Sequence, residues 1–230
     1  MNGIFITGTD TGIGKTYVAR LFINALNALG VATAGMKPVA SGAQRVDGEL
    51  RNEDALQLQA CASLRCDYHE VNPYVFEAPV APHIAAAHAG TRIDIARVKS
   101  LCQQLAARAE CVVVEGVGAW QVPLDEHCTV ADLAYQLGLP VVMVVGMRLG
   151  CLNHALLTAG AIDRCGAQLL GWVANSVTPD FAFLEENVAA LRKRISAPLI
   201  ATLDYDPELQ FNNKIGEIIR PQILQRIIAT

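Results

Sequence analysis

The chain has 230 residues, of which 17% are charged and 52% hydrophobic, with a formal net charge of -4. Soluble domains typically carry about a quarter charged residues, so this composition demands extensive burial, as in a sheet covered on both faces or a subunit interface. No stretch gathers Lys and Arg, which removes the electrostatic footprint expected for nucleic acid or an anionic membrane and points to small-molecule chemistry.

The opening MNGIFITG lacks a basic region followed by an apolar stretch, so it is expected to enter a strand rather than serve as a signal peptide. Short apolar, β-branched runs recur at residues 3–7, 31–36, 111–114, 140–145, 169–174 and 199–202. Between them lie segments with helical periodicity, at residues 15–29 (stopping at Gly30), 52–63, 93–109, 130–137, 151–164 and 184–195. This alternation predicts an α/β fold with a mostly parallel sheet and helices on both faces. Residues 72–90, with Pro73, Pro79 and Pro82, and the tail after Asp204 resist assignment. No linker composition interrupts the chain, and one domain over residues 1–230 is expected. The longest uncharged run, residues 133–147, contains Gly138 and Pro140 and is shorter than the ~20 apolar residues of a membrane span, so it reads as a buried strand. Seven cysteines, without a CxxC pair or zinc-type spacing, read as reduced residues of a cytosolic protein.

Residues 8–16, GTDTGIGKT, come close to the phosphate-binding template GxxxxGK[ST] but hold five residues between the glycines instead of four. The context of strand, loop and helix start is the one in which the backbone N–H groups, Lys15 and the Thr16 hydroxyl serve phosphate and magnesium. Ligands of open parallel sheets bind beyond the carboxyl ends of the strands, which directs attention to three further places. Lys37-Pro38-Val39-Ala40-Ser41-Gly42 follows the second strand and reads either as a lysine and a hydroxyl beside the nucleotide loop or as a solvated proline turn. Glu115-Gly116-Val117-Gly118 sets an acid after the strand CVVV, the place of the magnesium-holding carboxylate in phosphate-loop enzymes. Asn175 could pair with a purine edge or cap a turn. Asp54, in the first turn of a helix, favours the helix dipole whatever its function. The turn Arg148-Leu149-Gly150 leads into a helix start able to hold a carboxylate.

Taken together, GTDTGIGKT, KPVASG, VVVEGVGAW, VVGMRLGCLNHALLT and GWVAN resemble the dethiobiotin synthetases, in that family's order over most of the chain. The resemblance implies a phosphate-loop enzyme that uses ATP and Mg2+ to close a ureido ring on 7,8-diaminopelargonic acid with carbon dioxide. It implies catalytic roles for Lys15, Lys37 and Thr11, and magnesium ligands in Thr16, Asp54 and Glu115. ATP would meet Gly12, Ile13, Gly14, Lys15, Thr16, Tyr17, Asp54, Glu115, Gly116, Val117, Gly118, Asn175, Ser176, Asp204, Tyr205 and Asp206. The diamine would meet Thr11 and Ser41, with its carboxylate at Gly150, Cys151 and Asn153 beside the partner subunit of a homodimer. The chain departs from the family pattern at Gly12, where many members carry an acid, at Val117 and Ala119 in place of EGAGG, near Phe181 to Asn187, and around Asp204 to Asp206. Two other classes share parts of the pattern. A partitioning-type ATPase or nucleotide switch would bring an extra loop lysine or an NKxD motif, and neither is present; a carboxylate amidoligase would need a glutamine-handling domain for which 230 residues leave no room.

Overall fold

The computed structural model describes residues 1–205, 219 and 221–228. Its elements in chain order are β1 (Gly3–Gly8), α1 (Lys15–Ala28), β2 (Thr33–Met36), β3 (Val39–Ala40), β4 (Gln44–Val46), β5 (Glu49–Arg51), α2 (Glu53–Cys61), α3 (Tyr68–Val71), β6 (Tyr74–Val75) and α4 (Pro82–His88). They continue with α5 (Ile95–Ala106), β7 (Cys111–Glu115), α6 (Val130–Leu137), β8 (Val141–Met147), α7 (Cys151–Arg164), β9 (Leu169–Ser176), α8 (Leu184–Arg192), β10 (Leu199–Leu203) and α9 (Pro221–Ile228). Every strand of the predicted series is present, within two residues of its expected start.

The central sheet has six strands in the order β10-β9-β8-β1-β7-β2, all parallel. β1, β7 and β8 are buried along their whole length, which is why they read as continuous apolar runs rather than alternating ones. The pleat divides their side chains between two cores. Phe5, Val112, Val114, Met143 and Val145 face α5, α6, α7 and α8, while Ile4, Ile6, Val113, Val142 and Val144 face α1 and α9. Helices therefore cover both faces, as expected. After β1 the chain runs to the β2 edge and returns through β7, and then crosses β1 to β8. β1 is thus the strand at which the order reverses, and the crevice beyond its carboxyl end is the expected ligand position.

Three small features were not legible from periodicity. β4 and β5 form an antiparallel hairpin whose turn places both Asp47 (φ 52) and Gly48 (φ 84) at positive φ, the type that favours Asp-Gly. That dipeptide was the available signal. β3 and β6 form a two-residue parallel pair, and α4 begins with Pro82 at its first position, so the proline-rich segment 72–90 is ordered by tertiary pairing.

α2 lies directly on β2. A Cβ on Gly35 would come within 2.9 Å of the Leu58 carbonyl oxygen and 3.0 Å of Leu58 Cβ, so the helix sits where only a bare strand residue permits it. This close approach sets where the first turn of α2, with Asp54, stands relative to the ends of β2 and β7. Gly35→Ala is expected to destabilise the fold by about 1–3 kcal/mol through overpacking, read as a lower midpoint in urea unfolding with an unchanged slope. An unchanged midpoint would mean that α2 is free to shift away from the sheet.

Candidate active site

The loop after β1 is anchored by one apolar side chain. Ile13 is 1% exposed and packs into the core that also contains Ile6 and Val144. A Cβ on Gly8 would lie 2.6 Å from Ile13 Cδ1, and one on Gly146 2.5 Å from Ile13 Cγ2, so both glycines make room for that side chain. Thr9 N–H donates to the Val144 carbonyl at 3.0 Å, tying the loop to β8 as well. Gly12 (φ 69) and Gly14 (φ 85) supply the left-handed turns, a backbone state for which glycine is best suited, and Gly12 needs it where relatives were expected to carry an acid. Thr11 and Gly12 remain exposed at the rim of a cavity of about 770 Å3.

Lys15 and Thr16 open α1 at the floor of this cavity, joined there by Lys37 from the end of β2, Asp54 from α2 and Glu115 from the end of β7. The Lys37 ammonium donates to Asp54 Oδ2 at 2.8 Å, to Glu115 Oε1 at 2.5 Å and, weakly, to the Gly116 carbonyl at 3.4 Å. Thr16 Oγ1 donates to the same Glu115 Oε1 at 2.9 Å. Lys15 Nζ donates to the Asp10 carbonyl at 2.8 Å, and the Asp10 carboxylate pairs with Arg148 beyond β8. The structure therefore resolves the ambiguity of Asp54: besides standing in the first turn of α2, it is directly bonded to Lys37.

Burial governs the electrostatics. Lys15 is 6% exposed, and desolvation, reinforced by the nearby Lys37 charge, lowers its pKa to about 8. Burial would lower Lys37 too, but the adjoining Glu115 and Asp54 carboxylates outweigh it and hold the ammonium above its usual value. Burial raises the Glu115 carboxyl, with Asp54 repulsion adding to it and Lys37 only partly offsetting it. Burial pulls Asp54 in the same direction, yet the Lys37 charge and hydrogen bond prevail there and keep it low.

Two buried oxygens in this region have no hydrogen-bond partner, Glu115 Oε2 and Ser41 Oγ. Buried polar atoms are nearly always satisfied, so both point to a ligand. Thr16 Oγ1 and the Asp54 and Glu115 carboxylates form the small all-oxygen set that suits Mg2+, which takes a few protein oxygens and completes its shell with phosphate and water. The unpartnered Glu115 Oε2 fits that assignment.

Not every expected residue reaches the cavity. Thr11, Gly12, Gly14, Lys15, Thr16, Tyr17, Lys37, Ser41, Asp54, Glu115, Val117 and Gly118 line it. Ile13 faces the core and offers only backbone, and Gly116 is likewise absent from the lining but accepts from Lys37. Asn175 stands at the end of β9, and its amide donates to the Ile13 carbonyl at 2.8 Å and would meet a Cβ on Gly14 at 2.4 Å. It therefore braces the loop from behind. Ser176 is buried beside it with an unpartnered hydroxyl, Asp204 and Tyr205 are exposed after β10, and Asp206 lies outside the described residues. Gly150, Cys151 and Asn153 sit at the start of α7 and do not line the cavity. Sequence reading missed the wall formed by Pro79, Val80, Ala81 and Pro82, and the pair Arg20 and Gln57 (2.9 Å) between α1 and α2. The prolines were visible, but nothing in their spacing tied them to this end of the sheet.

Comparisons with known proteins agree with this geometry. A family model described as an AAA domain matches residues 2–213. The ATP-dependent dethiobiotin synthetase BioD of Aromatoleum aromaticum is 50% identical over 201 residues, covering 87% of this chain and 89% of that one. Its namesake from Pseudomonas paraeruginosa is 50% identical over 87% of this chain and 88% of that one. Among solved structures, the MinC:MinD cell division protein complex of Aquifex aeolicus superposes with a TM-score of 0.62 at 14% identity, covering 100% of this chain and 97% of that one. A ParA family ATPase from Chlorobium tepidum gives 0.56 at 13% identity, over 99% of this chain and 97% of that one. Those two likenesses concern the fold alone. With half of its residues shared across 87% of its length, the chain belongs to the ATP-dependent dethiobiotin synthetase family.

Proposed function

We propose that the chain, acting as one domain over residues 1–230, closes the ureido ring of dethiobiotin from 7,8-diaminopelargonic acid, carbon dioxide and ATP. The observation that carries this reading is the shared cavity. The phosphate loop, the Lys37 ammonium and the unpartnered Ser41 hydroxyl open onto one space, with an apolar wall at Pro79, Val80 and Val122 suited to an alkyl chain. A nucleotide switch needs no second-substrate compartment there.

One amine of the diamine adds carbon dioxide to give a carbamate. A carbamate oxygen attacks the γ-phosphorus as ADP leaves, and the second amine then attacks the carbonyl carbon, expelling phosphate and closing the ring. Lys15 stands where the β- and γ-phosphates of ATP would lie, and phosphate charge favours its protonated form. Lys37 has all three N–H donors engaged, so it must exchange a partner to reach the transferring group. The long contact to the Gly116 carbonyl is the one most cheaply given up. Both ammonium groups then oppose negative charge as it builds on the transferring group. Thr11 and Ser41 orient the diamine. Thr16, Asp54 and Glu115 would hold Mg2+, which when bound neutralises charge on the nucleotide phosphates.

The enzyme is proposed to be a cytoplasmic homodimer. Leu157 (61% exposed) on α7 and Leu149 (95% exposed) in the turn that precedes it leave apolar surface in solvent, which favours its covering by a second copy. The substrate carboxylate would then meet Gly150, Cys151 and Asn153 across that pairing. Among the described residues no helix is long and apolar enough to cross a membrane.

Omitting one component at a time tests the reaction. ATP alone is expected to yield little ADP, and diamine with bicarbonate should raise ADP release sharply, one per ring formed; vigorous hydrolysis indifferent to the diamine would instead identify a switch. Lys15→Gln and Lys37→Gln should each lower the stimulated rate by about 10²-fold or more. Since Lys15 is charged below a pKa of about 8, metal-free ATP affinity should be full at pH 7 and fall about tenfold by pH 9, a slope that Lys15→Gln abolishes in calorimetric titrations. In the ligand-free protein the sign reverses: the unfolded chain holds this proton more tightly, so the Lys15 contribution to stability rises as pH passes 8.

A further inference from the structure

We propose that Tyr68 and Asn72 are positioning residues that set the separation of Lys37 and Asp54, through a hydrogen-bonded ring leaving Lys37 by its main chain and returning to its side chain. The proposal rests on the reading above that Lys37 opposes charge on the transferring group and that Asp54 helps to hold Mg2+ beside it.

The ring can be followed atom by atom. Asn72 Nδ2 donates to the Lys37 carbonyl at 2.6 Å, and Asn72 Oδ1 accepts from the Tyr68 hydroxyl at 2.8 Å. The same hydroxyl accepts the Asn52 backbone N–H at 2.7 Å. Asn52 is the N-cap of α2, its Oδ1 accepting from Ala55 N–H, and two residues later Asp54 meets Lys37 Nζ at 2.8 Å. A parallel tie, Lys37 N–H to the Val71 carbonyl at 2.8 Å, holds the end of β2 against α3.

Neither side chain is needed merely to fill space. Asn72 is fully buried and Tyr68 is 7% exposed, positions where an apolar residue would avoid desolvation. Asn72 instead has both ends of its amide engaged, its second contact being the Tyr74 carbonyl at 3.3 Å, and the Tyr68 hydroxyl both donates and accepts. A buried network so fully satisfied has one low-energy geometry. The outer face of the Tyr68 ring is covered by the Arg51 guanidinium at 4.2 Å from its centroid, which fixes the ring plane. The ring of bonds therefore adds a second tie, at the site end, between the end of β2 and the start of α2, elements already packed together at Gly35 and Leu58.

Tyr74 provides a control whose hydroxyl bond does not lead to the site. It belongs to the same segment, is 5% exposed, and its hydroxyl also accepts one backbone N–H, that of Asp94 at 3.0 Å, but that bond leads to α5 and away from the site. Both Tyr68→Phe and Tyr74→Phe should lower Tm, Tyr68→Phe the more because it strands two buried partners, Asn72 Oδ1 and the Asn52 N–H, against one for Tyr74. Only Tyr68→Phe is expected to reduce kcat for diamine-stimulated ADP release, by tenfold or more, with KM for ATP within twofold of wild type. Combined with Asp54→Asn, its effect should fall well short of the product of the single effects, because both act on one contact. Equal kcat losses in the two tyrosine variants, or a multiplicative double variant, would overturn the proposal. Asn72→Ala should reproduce the Tyr68→Phe phenotype; if neither variant folds, the ring is structural and the proposal fails. Crystals of Tyr68→Phe separate this question from the reaction itself. Lys37 and Asp54 should have parted there, and their persistence in contact would overturn the proposal whether or not the wild type is stimulated by diamine. Absence of stimulation in wild type and Tyr74→Phe alike would count against the proposed reaction and leave the crystallographic distance to decide the ring.

Discussion

The site is organised around an ammonium group that has been taken out of water. Lys37 is 3% exposed and Glu115 1% exposed, and an isolated charge at such a place would lose its proton or gain one rather than persist. What keeps Lys37 charged is the proximity of two carboxylates from different elements, and removal of one partner from a buried pair typically costs 3–5 kcal/mol, chiefly because of the charge left behind. The requirement reaches outward into the fold. β7 must end at Glu115 in register with Ile6 of β1, and α2 must lie close enough to β2 for Asp54 to reach, which the bare Gly35 allows.

How much of this could be read in advance follows from the range of each interaction. The strands and most helices depend on local periodicity and were legible, as was the placing of Lys15 and Thr16 at the start of α1 and of Glu115 at the end of β7. Asp54 could be read two ways, because an acid in a first helical turn has a local explanation and its bond to Lys37 spans 17 residues. Tyr68 and Asn72 left no trace at all: a tyrosine and an asparagine four apart are unremarkable until tertiary structure brings Asn52 and Lys37 to them. Residues 72–90 resisted assignment because their strand pairs with the distant Val39 and Ala40.

The fold alone would not have separated a biosynthetic enzyme from a switch. A similar fold is found in a cell division protein complex and in a ParA family ATPase at 13–14% identity, which is the expected relation between an architecture and the functions grafted onto it. What bears on function is the lining of the crevice, where Ser41, after β3, and the Pro79 to Pro82 turn bring a hydroxyl and apolar surface to the cavity that Lys15 and Thr16 also line.

The seating of Ile13 bears on the thermodynamics of ligand capture. A glycine-rich loop free in solution would have to surrender backbone entropy when phosphate arrives, at about 1–2 kcal/mol for each residue newly fixed. With its apolar side chain already lodged between Gly8 and Gly146, and its carbonyl held by Asn175, this loop has met most of that cost during folding. Contacts made to phosphate therefore appear largely as affinity and as precision of alignment, and little is spent on ordering the cradle itself.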